Sequence, residues 1–410
     1  MESLVLKQIK LEQTEMGTKV LYDYDAPERF LKYVKGDSLY VEFPCDVRSV
    51  PQSILAIPFV GVMLTVGMLI NVDLYIPELD RSFYTSIEKV QTVFRKMYPR
   101  ANFQCGVNAE CLKDTPQNSP DGAERCSLFF TGGVDATSAL AELADQAPLL
   151  INVWGGDLRL TDDASHKELE DYLNILTSHL RLDYCFVKTN ARETFNENAL
   201  GHLCEGMLGH RNNHGWWASI AHILSMSSTI APLLWLKGIR THYIGSSYDP
   251  STKTFDSNNT LLIDALCYTS CRFASVDAHI NRNEKAAKII EYRKLTDAPL
   301  QLKVCWNRTA GINCSACEKC YRTILNIIAN HDDPNKYGFV VDGNSLARMK
   351  QFVSSNTVSK AFWTPIQHKM RKERSMWEKS EIAWFLDAKL NAPCVYLHRI
   401  AQKLRIILKK

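Results

Sequence analysis

The stretch Cys126-Ser-Leu-Phe-Phe-Thr131-Gly132-Gly133-Val134-Asp135-Ala136-Thr137-Ser138 decides how this chain is read. An apolar run of strand length stops at a hydroxyl, two glycines and an acid, and Thr137-Ser138-Ala139-Leu140 then opens a helix. Such a junction suits an anion. Glycines let the backbone come close, and the first N–H groups of a helix have no partner inside it. Asp135 adds a carboxylate suited to Mg2+, which takes hard oxygen ligands and bridges protein to nucleotide phosphates. The spacing lacks the Lys-Ser/Thr pair of a Walker A loop and the three spaced glycines of a dinucleotide fingerprint. The plainer reading of the same residues is a strand-turn-helix junction with a Gly-Gly turn.

Working outward, Cys305-Trp-Asn-Arg-Thr-Ala-Gly-Ile-Asn-Cys314-Ser-Ala-Cys317-Glu-Lys-Cys320 places four thiols in one short stretch. Four thiolates at tetrahedral angles describe a closed structural Zn2+ site. A thioredoxin-type redox pair would leave Cys305 and a further cysteine idle.

Thr131-Gly132-Gly133-Val134-Asp135 resembles the Ser-Gly-Gly-x-Asp-Ser loop of the ATP pyrophosphatase (PP-loop) superfamily, whose members cleave ATP between its α and β phosphates. With the four-cysteine knuckle, the chain is similar over about residues 123 to 330 to the 7-cyano-7-deazaguanine synthase family, zinc-containing PP-loop enzymes that turn a carboxylate into an amide and then a nitrile with ATP and ammonia. It also resembles enlarged relatives of that family. The resemblance implies ATP, Mg2+ and Zn2+ as cofactors, with Thr131 and Asp135 catalytic. Thr131, Gly132, Gly133, Val134, Asp135, Thr137, Ser138 and Asn190 would hold the nucleotide, and Cys305, Cys314, Cys317 and Cys320 the zinc. It further implies a small-molecule or protein carboxylate as substrate and ammonia or an amine as donor. Ala136 departs from the pattern, standing where a second hydroxyl belongs; Thr137 or Ser138 could supply it one residue later.

Two other classes stay open. A PP-loop sulfurtransferase needs a cysteine free of metal, for which Cys204, Cys267 and Cys271 are the candidates. A non-catalytic nucleotide-sensing or partner-binding module would explain Ala136.

The composition suits an intracellular enzyme. The 410 residues are 46% hydrophobic, enough for a large core, and the 13 cysteines are odd in number, so they read as reduced thiols of a cytoplasmic protein. A net charge of +3 does not by itself imply nucleic acid. No secretory leader is legible at Met1-Glu-Ser-Leu-Val-Leu-Lys. The apolar run Ile54 to Ile70 approaches membrane-spanning length, but Pro58, Gly61 and Gly67 interrupt it and acids follow at once, so a buried core segment is predicted.

The predicted fold is α/β: a parallel sheet with flanking helices, an N-terminal α+β module over 1–122, a PP-loop domain over 123–330 with the zinc knuckle at 305–320, and a basic helical extension over 331–410. Strand and helix signals alternate after the turn-rich Thr115-Pro-Gln-Asn-Ser-Pro-Asp-Gly, and ligands of such sheets sit at the carboxyl ends of the strands. Segments expected at that edge are Trp154-Gly155-Gly156-Asp157, Lys188-Thr189-Asn190-Ala191-Arg192, His210 to Trp217, and Ile244-Gly245-Ser246-Ser247-Tyr248, followed by a lid or plain loop over Asp249 to Asn259. Asp264, an acid among apolar residues, would need a partner if buried, and Arg282, Lys285 and Lys288 are candidate partners or phosphate ligands. From Lys369 to Lys410 there are 11 Lys and Arg against 4 acids, a surplus suited either to RNA or an acidic partner, or to a solvated helical end.

Overall fold

A computed structural model of the protein describes residues 2–391, apart from 37, 120–121, 210–213, 248–255, 270 and 306–312. The chain begins with the antiparallel strands β1 (Leu4–Gln13) and β2 (Thr18–Asp25), a short helix α1 (Glu28–Leu31) and β3 (Tyr40–Phe43). Helices α2 (Gln52–Leu55) and α3 (Ile57–Ile70) follow, then β4 (Leu74–Asp80), α4 (Arg81–Met97) and β5 (Val107–Lys113). Alternation takes over from β6 (Arg125–Phe129): α5 (Val134–Glu142), β7 (Leu149–Trp154), α6 (Asp163–Leu180), β8 (Tyr184–Thr189), α7 (Glu197–Leu208), α8 (His222–Thr229), α9 (Ala231–Leu236), β9 (Ile239–Gly245), α10 (Thr260–Ala265), β10 (Cys267–Tyr268), β11 (Cys271–Val276) and α11 (Arg282–Thr296). Helices α12 (Glu318–Ala329), α13 (Ser345–Ser355) and α14 (Lys360–Lys372) complete the set used below.

All eleven strands join one mixed sheet in the order β10-β11-β9-β6-β7-β8-β3-β2-β1-β4-β5. Its centre, β11-β9-β6-β7-β8, is parallel throughout. There β6 is buried from Cys126 to Phe129, as in a strand covered on both faces, with Ser127 partnered by His242 Nδ1 at 2.8 Å. The N-terminal residues do not stand apart as the expected 1–122 module. Strand β3 pairs antiparallel with β8, Val41 opposite Thr189, so the first strands extend the parallel sheet and share its core. The sheet's far ends also meet. Asp80, the last residue of β4, accepts from the Thr269 backbone N–H at 2.8 Å and from its hydroxyl at 2.8 Å, in the turn between β10 and β11.

One face of the sheet holds α3, α8 and α9 in a core with Phe59, Phe94, Trp216 and Leu233. Helix α3 is apolar all round, and Ile57 through Leu69 are buried, as such a helix must be in water. Two segments, Gln52–Ile70 and Trp217–Leu236, are long and apolar enough to cross a membrane, yet are 94% and 83% buried inside the protein. The other face carries α5, α6, α11 and α12, capped by the C-terminal residues Trp363, Ile366, Met370 and Phe385. The four cysteines gather beside this second core.

Candidate functional site

A cavity of about 700 Å3 opens at the carboxyl ends of β6, β7 and β9. Thr131, Gly133, Val134, Asp135 and Ala136 form one wall. Gly132 makes the turn possible with φ at +74°, where a side chain is strained. Gly245, closing β9, admits the loop backbone: a Cβ there would lie 2.4 Å from the Asp135 carbonyl oxygen. Helix α5 then starts at Gly133 with no side-chain cap, so its first N–H groups face the cavity mouth unclaimed by any cap. This is the anion-binding end of a helix dipole.

Cations surround that terminus. Arg282 donates to Asp135 Oδ2 at 2.9 Å and Lys285 to Oδ1 at 3.0 Å. Burial works to raise the Asp135 carboxyl, but Arg282 and Lys285 overcome it and hold it below the usual range. Lys303, Lys319 and Arg322 line the same space. Arg282 and Arg322 both lie over the Phe362 ring of α14, at 4.5 and 4.3 Å from its centroid, so the C-terminal extension props up two guanidinium groups. Burial, with Arg322 and Arg282 alongside, pulls the Lys319 ammonium down to about 8, and burial with Arg282 pulls Arg322 down to about 10. Positive charge is crowded here, each cation lowering its neighbours.

The opposite end of the cavity is built on Asp157, just past β7. Its Oδ1 accepts from Trp217 Nε1 at 3.0 Å and its Oδ2 faces His222 Nε2 at 3.1 Å, while His222 Nδ1 faces Asn258 Oδ1 at 3.1 Å. Both ring nitrogens meet acceptors. Burial opposes the charged imidazolium, but Asp157 and Asn258 outweigh it and raise His222, while the Asp157 carboxyl is driven well below its ordinary value by His222, Trp217 and Arg192 against its burial. Arg192 stacks over Trp217 at 4.6 Å and pairs with Glu197 at 2.7 Å. The turn carrying Trp217 is a π-helix over Trp217–Ala221, a wide turn that often accompanies functional sites.

The four predicted zinc ligands come together. The Sγ atoms of Cys305, Cys314, Cys317 and Cys320 all lie within 4.8 Å of one another. Cys305 to Cys317 is 3.8 Å, Cys314 to Cys320 is 3.9 Å and Cys317 to Cys320 is 3.5 Å. Tetrahedral zinc with bonds of about 2.3 Å separates its sulfurs by about 3.8 Å, whereas a disulfide would bring two to about 2.05 Å. The donor set therefore fits zinc. Asn313 holds the knuckle shut, its amide donating to Leu302 O at 2.6 Å and Gly338 O at 3.0 Å and its oxygen accepting from Val304 N at 3.1 Å. Cys317 is also the N-cap of α12, so the cluster aims Lys319 and Arg322, three positions apart on one helix face, into the cavity.

Several expected site residues lie elsewhere. Ser138 donates to Asp277, itself paired with Lys288 at 2.6 Å, and Thr137 is buried with its hydroxyl unbonded, so neither faces the cavity in place of a hydroxyl at Ala136. Each successive residue turns about 100° round the helix axis, away from the cavity that Ala136 lines. Asn190 is spent on the neighbouring chain segment, accepting from Tyr40 N at 2.8 Å and donating to Ser38 O at 3.2 Å; Arg192 reaches the cavity instead. Asp264 is exposed and needs no partner, and Lys285 and Arg282 serve Asp135. His210 and Tyr248 lie outside the described residues, as do most of the proposed lid, the C-terminal basic tail beyond 391 and Tyr396. His214 donates its backbone N–H to Ser219 Oγ at 3.0 Å. Among the described residues the carboxylates at the cavity already have partners and do not fit Mg2+ as a protein-held ion: Asp135 gives both oxygens to cations, Asp157 is taken by His222 and Trp217, and Glu168 faces Lys303 at 3.5 Å.

Lys303, Lys319, Arg322, His222 and Asn313 were not singled out by sequence reasoning. A signal existed for two of them, since Lys319 and Arg322 flank the last cysteine of the run, Cys320, three positions apart as on one helix face. No protein-family profile matches the chain, and no curated protein matches its sequence.

Proposed function

We propose that the cavity binds ATP and that the protein is an AMP- and pyrophosphate-forming enzyme of the PP-loop kind, activating a carboxylate for carbon–nitrogen bond formation. The observation that carries this reading is the uncapped N-terminus of α5 at the carboxyl edge of a parallel sheet, ringed by Arg282, Lys303, Lys319 and Arg322. In the proposed reaction a substrate carboxylate oxygen attacks the α-phosphorus, the bond to the β-phosphate bridging oxygen breaks, and pyrophosphate leaves with its charge against the α5 N–H groups and the cations. Ammonia or an amine then adds to the acyl carbon and AMP departs, the surplus proton passing to solvent. Preorganised donors of this type stabilise charge as it develops on the leaving group. Zinc, held by Cys305, Cys314, Cys317 and Cys320, would be structural, since four thiolates leave no open position.

The test is incubation of metal-replete protein with ATP and panels of carboxylic acids and small acidic proteins, with AMP and products followed by mass spectrometry. AMP and pyrophosphate are expected, and ADP as the product would reject the mechanism. A second reading, nucleotide sensing without turnover, is favoured by one observation: neither Thr137 nor Ser138 lines the cavity in place of a hydroxyl at Ala136, and Asp135 is committed to Arg282 and Lys285. Tight ATP binding without AMP under any acceptor would select it. Sulfur transfer loses ground, because Cys204, Cys267 and Cys271 do not line this cavity and burial raises all three thiols.

A further inference from the structure

A second cavity, of about 440 Å3, lies at the opposite edge of the sheet, where the parallel strands begin. Three adjacent strands each bring one arginine to it: Arg125 of β6, Arg240 of β9 and Arg272 of β11. The register places Arg125 opposite Ile239 and Arg272 opposite Thr241, so the three guanidinium groups leave the sheet within a residue of one level. Neighbouring strands lie about 4.8 Å apart, so the backbones that carry the three arginines span about 10 Å, and the six residues from Arg125 to Thr131 put them about 20 Å from the first cavity.

Arg240 Nε is buried and has no hydrogen-bond acceptor among the described residues, and Arg272 Nε donates only to the neutral Thr241 Oγ1, at 3.2 Å. Neither arginine pairs with a carboxylate among the described residues, and Glu124 is the one acid described in the lining. A buried donor left unsatisfied is costly, and guanidinium groups match phosphate oxygens two by two. We propose that this cavity binds a small phosphate-bearing anion, of diphosphate size or a little larger, through Arg240 and Arg272. Its volume exceeds what one phosphate fills. Single-stranded nucleic acid is a poorer match, because that binding uses several aromatic platforms along a groove and Tyr243 is the one aromatic described here.

Calorimetry of the full-length, zinc-loaded protein with inorganic pyrophosphate should show two binding events. Arg240→Gln combined with Arg272→Gln should weaken one of them at least tenfold while sparing the other and any AMP formation. Lys319→Gln with Arg322→Gln should do the reverse. Hydrogen exchange should show pyrophosphate protecting residues 124–126 and 267–272 in the unaltered protein. A single event insensitive to the Arg240/Arg272 pair, with no protection there, would overturn the proposal. Should the double variant fail to fold, Arg272→Gln alone, at an exposed position, must still weaken that event, and unchanged affinity would count against the site. A short RNA that competes for it with steeply salt-dependent affinity would also overturn the small-anion assignment. If AMP is never formed but the event at the arginines persists, the enzyme reading fails and this one stands.

Discussion

Two strand-to-helix junctions, β4 into α4 and β6 into α5, are finished differently. At the first, Asp80 accepts from Phe83 N at 2.9 Å and so closes the helix with its own side chain. At the second, Gly133 leaves α5 open. Each strand is followed, after its helix, by a parallel neighbour, β5 or β7, so the path of the chain is not what separates them. The difference lies in whether the orphan N–H groups are satisfied from within or kept for something that arrives. Around the closed junction lies an apolar core with Asp80 tying the ends of the sheet; around the open one lies a cationic cavity. Helix α12 is a third case, begun by a thiol of the four-cysteine cluster, and it carries two of the cations that face the open junction.

The largest effect should follow from breaking that third start. Cys317→Ser, or removal of metal by a strong chelator, should unfold the knuckle and disorient Lys319 and Arg322, because structural zinc sites contribute about 10 kcal/mol or more to folding. Metal analysis should find one zinc per chain in the unaltered protein. Pyrophosphate affinity by calorimetry should fall by about 100-fold or more while Asp80 and its surroundings keep their hydrogen-exchange protection. Protein purified without zinc yet fully folded would remove the knuckle from the account.

Next in size is Asp135→Asn. A carboxylate in a solvated loop could be changed at little cost, but Lys285 is only 1% exposed and would lose its charged partner. Breaking a buried pair from one side costs about 3–5 kcal/mol. Chemical denaturation should therefore show a loss of that size, and Asp135→Asn together with Lys285→Met should recover much of it. An Asp135→Asn protein as stable as the parent would mean that the pair matters little.

Much of this was legible beforehand, and the boundary is instructive. The β6–α5 junction and the four cysteines announce themselves because glycine conformation and thiol spacing are local properties of the chain. The buried α3 was readable for the same reason, its apolar residues running all round the helix. What the sequence did not reveal depends on contacts across distance. Arg282 and Lys285 meet Asp135 from about 150 residues downstream, Asn190 reaches back to Tyr40, and β3 joins β8 from the far side of the expected module boundary. Thr137 and Ser138 do not stand in for a hydroxyl at Ala136 because helical geometry swings each successive side chain round the axis, and of the three only Ala136 lines the cavity.

A pair of smaller substitutions interrogates the two junctions directly, with opposite signs. Asp80→Ala should cost about 2 kcal/mol, since it removes an N-cap and leaves the Thr269 N–H unpaired, and it should leave pyrophosphate affinity untouched. Gly133→Asp should give α5 the cap it lacks. Gly133 has φ of −72° and ψ of 166°, and a Cβ there would meet nothing closer than Thr131 Oγ1 at 3.5 Å, so the side chain is accommodated. Stability should rise by about 0.5–1 kcal/mol while pyrophosphate affinity drops by about tenfold, the carboxylate occupying the ligand's place. If both variants moved stability and affinity together, the distinction between a closed and an open junction would be lost.

The smallest effect concerns the far end of the cavity, where no helix start is involved and the charges already have partners. His222 is raised above its ordinary value because Asp157 and Asn258 face its two nitrogens, with Asp256 nearby and Arg192 bound to the same Asp157. A histidine whose folded value is raised binds its proton more tightly than the unfolded chain does. Its contribution to stability is therefore complete below about pH 6.5 and is lost as pH climbs through the folded value. Asp157 behaves oppositely, contributing above about pH 4 and failing as pH falls. Denaturation midpoints measured from pH 5 to 9 should decline on the alkaline side, and His222→Gln should flatten that limb without moving the pyrophosphate event at α5. A decline that survives the substitution would assign the alkaline loss to another group and leave this end of the cavity as a neutral wall.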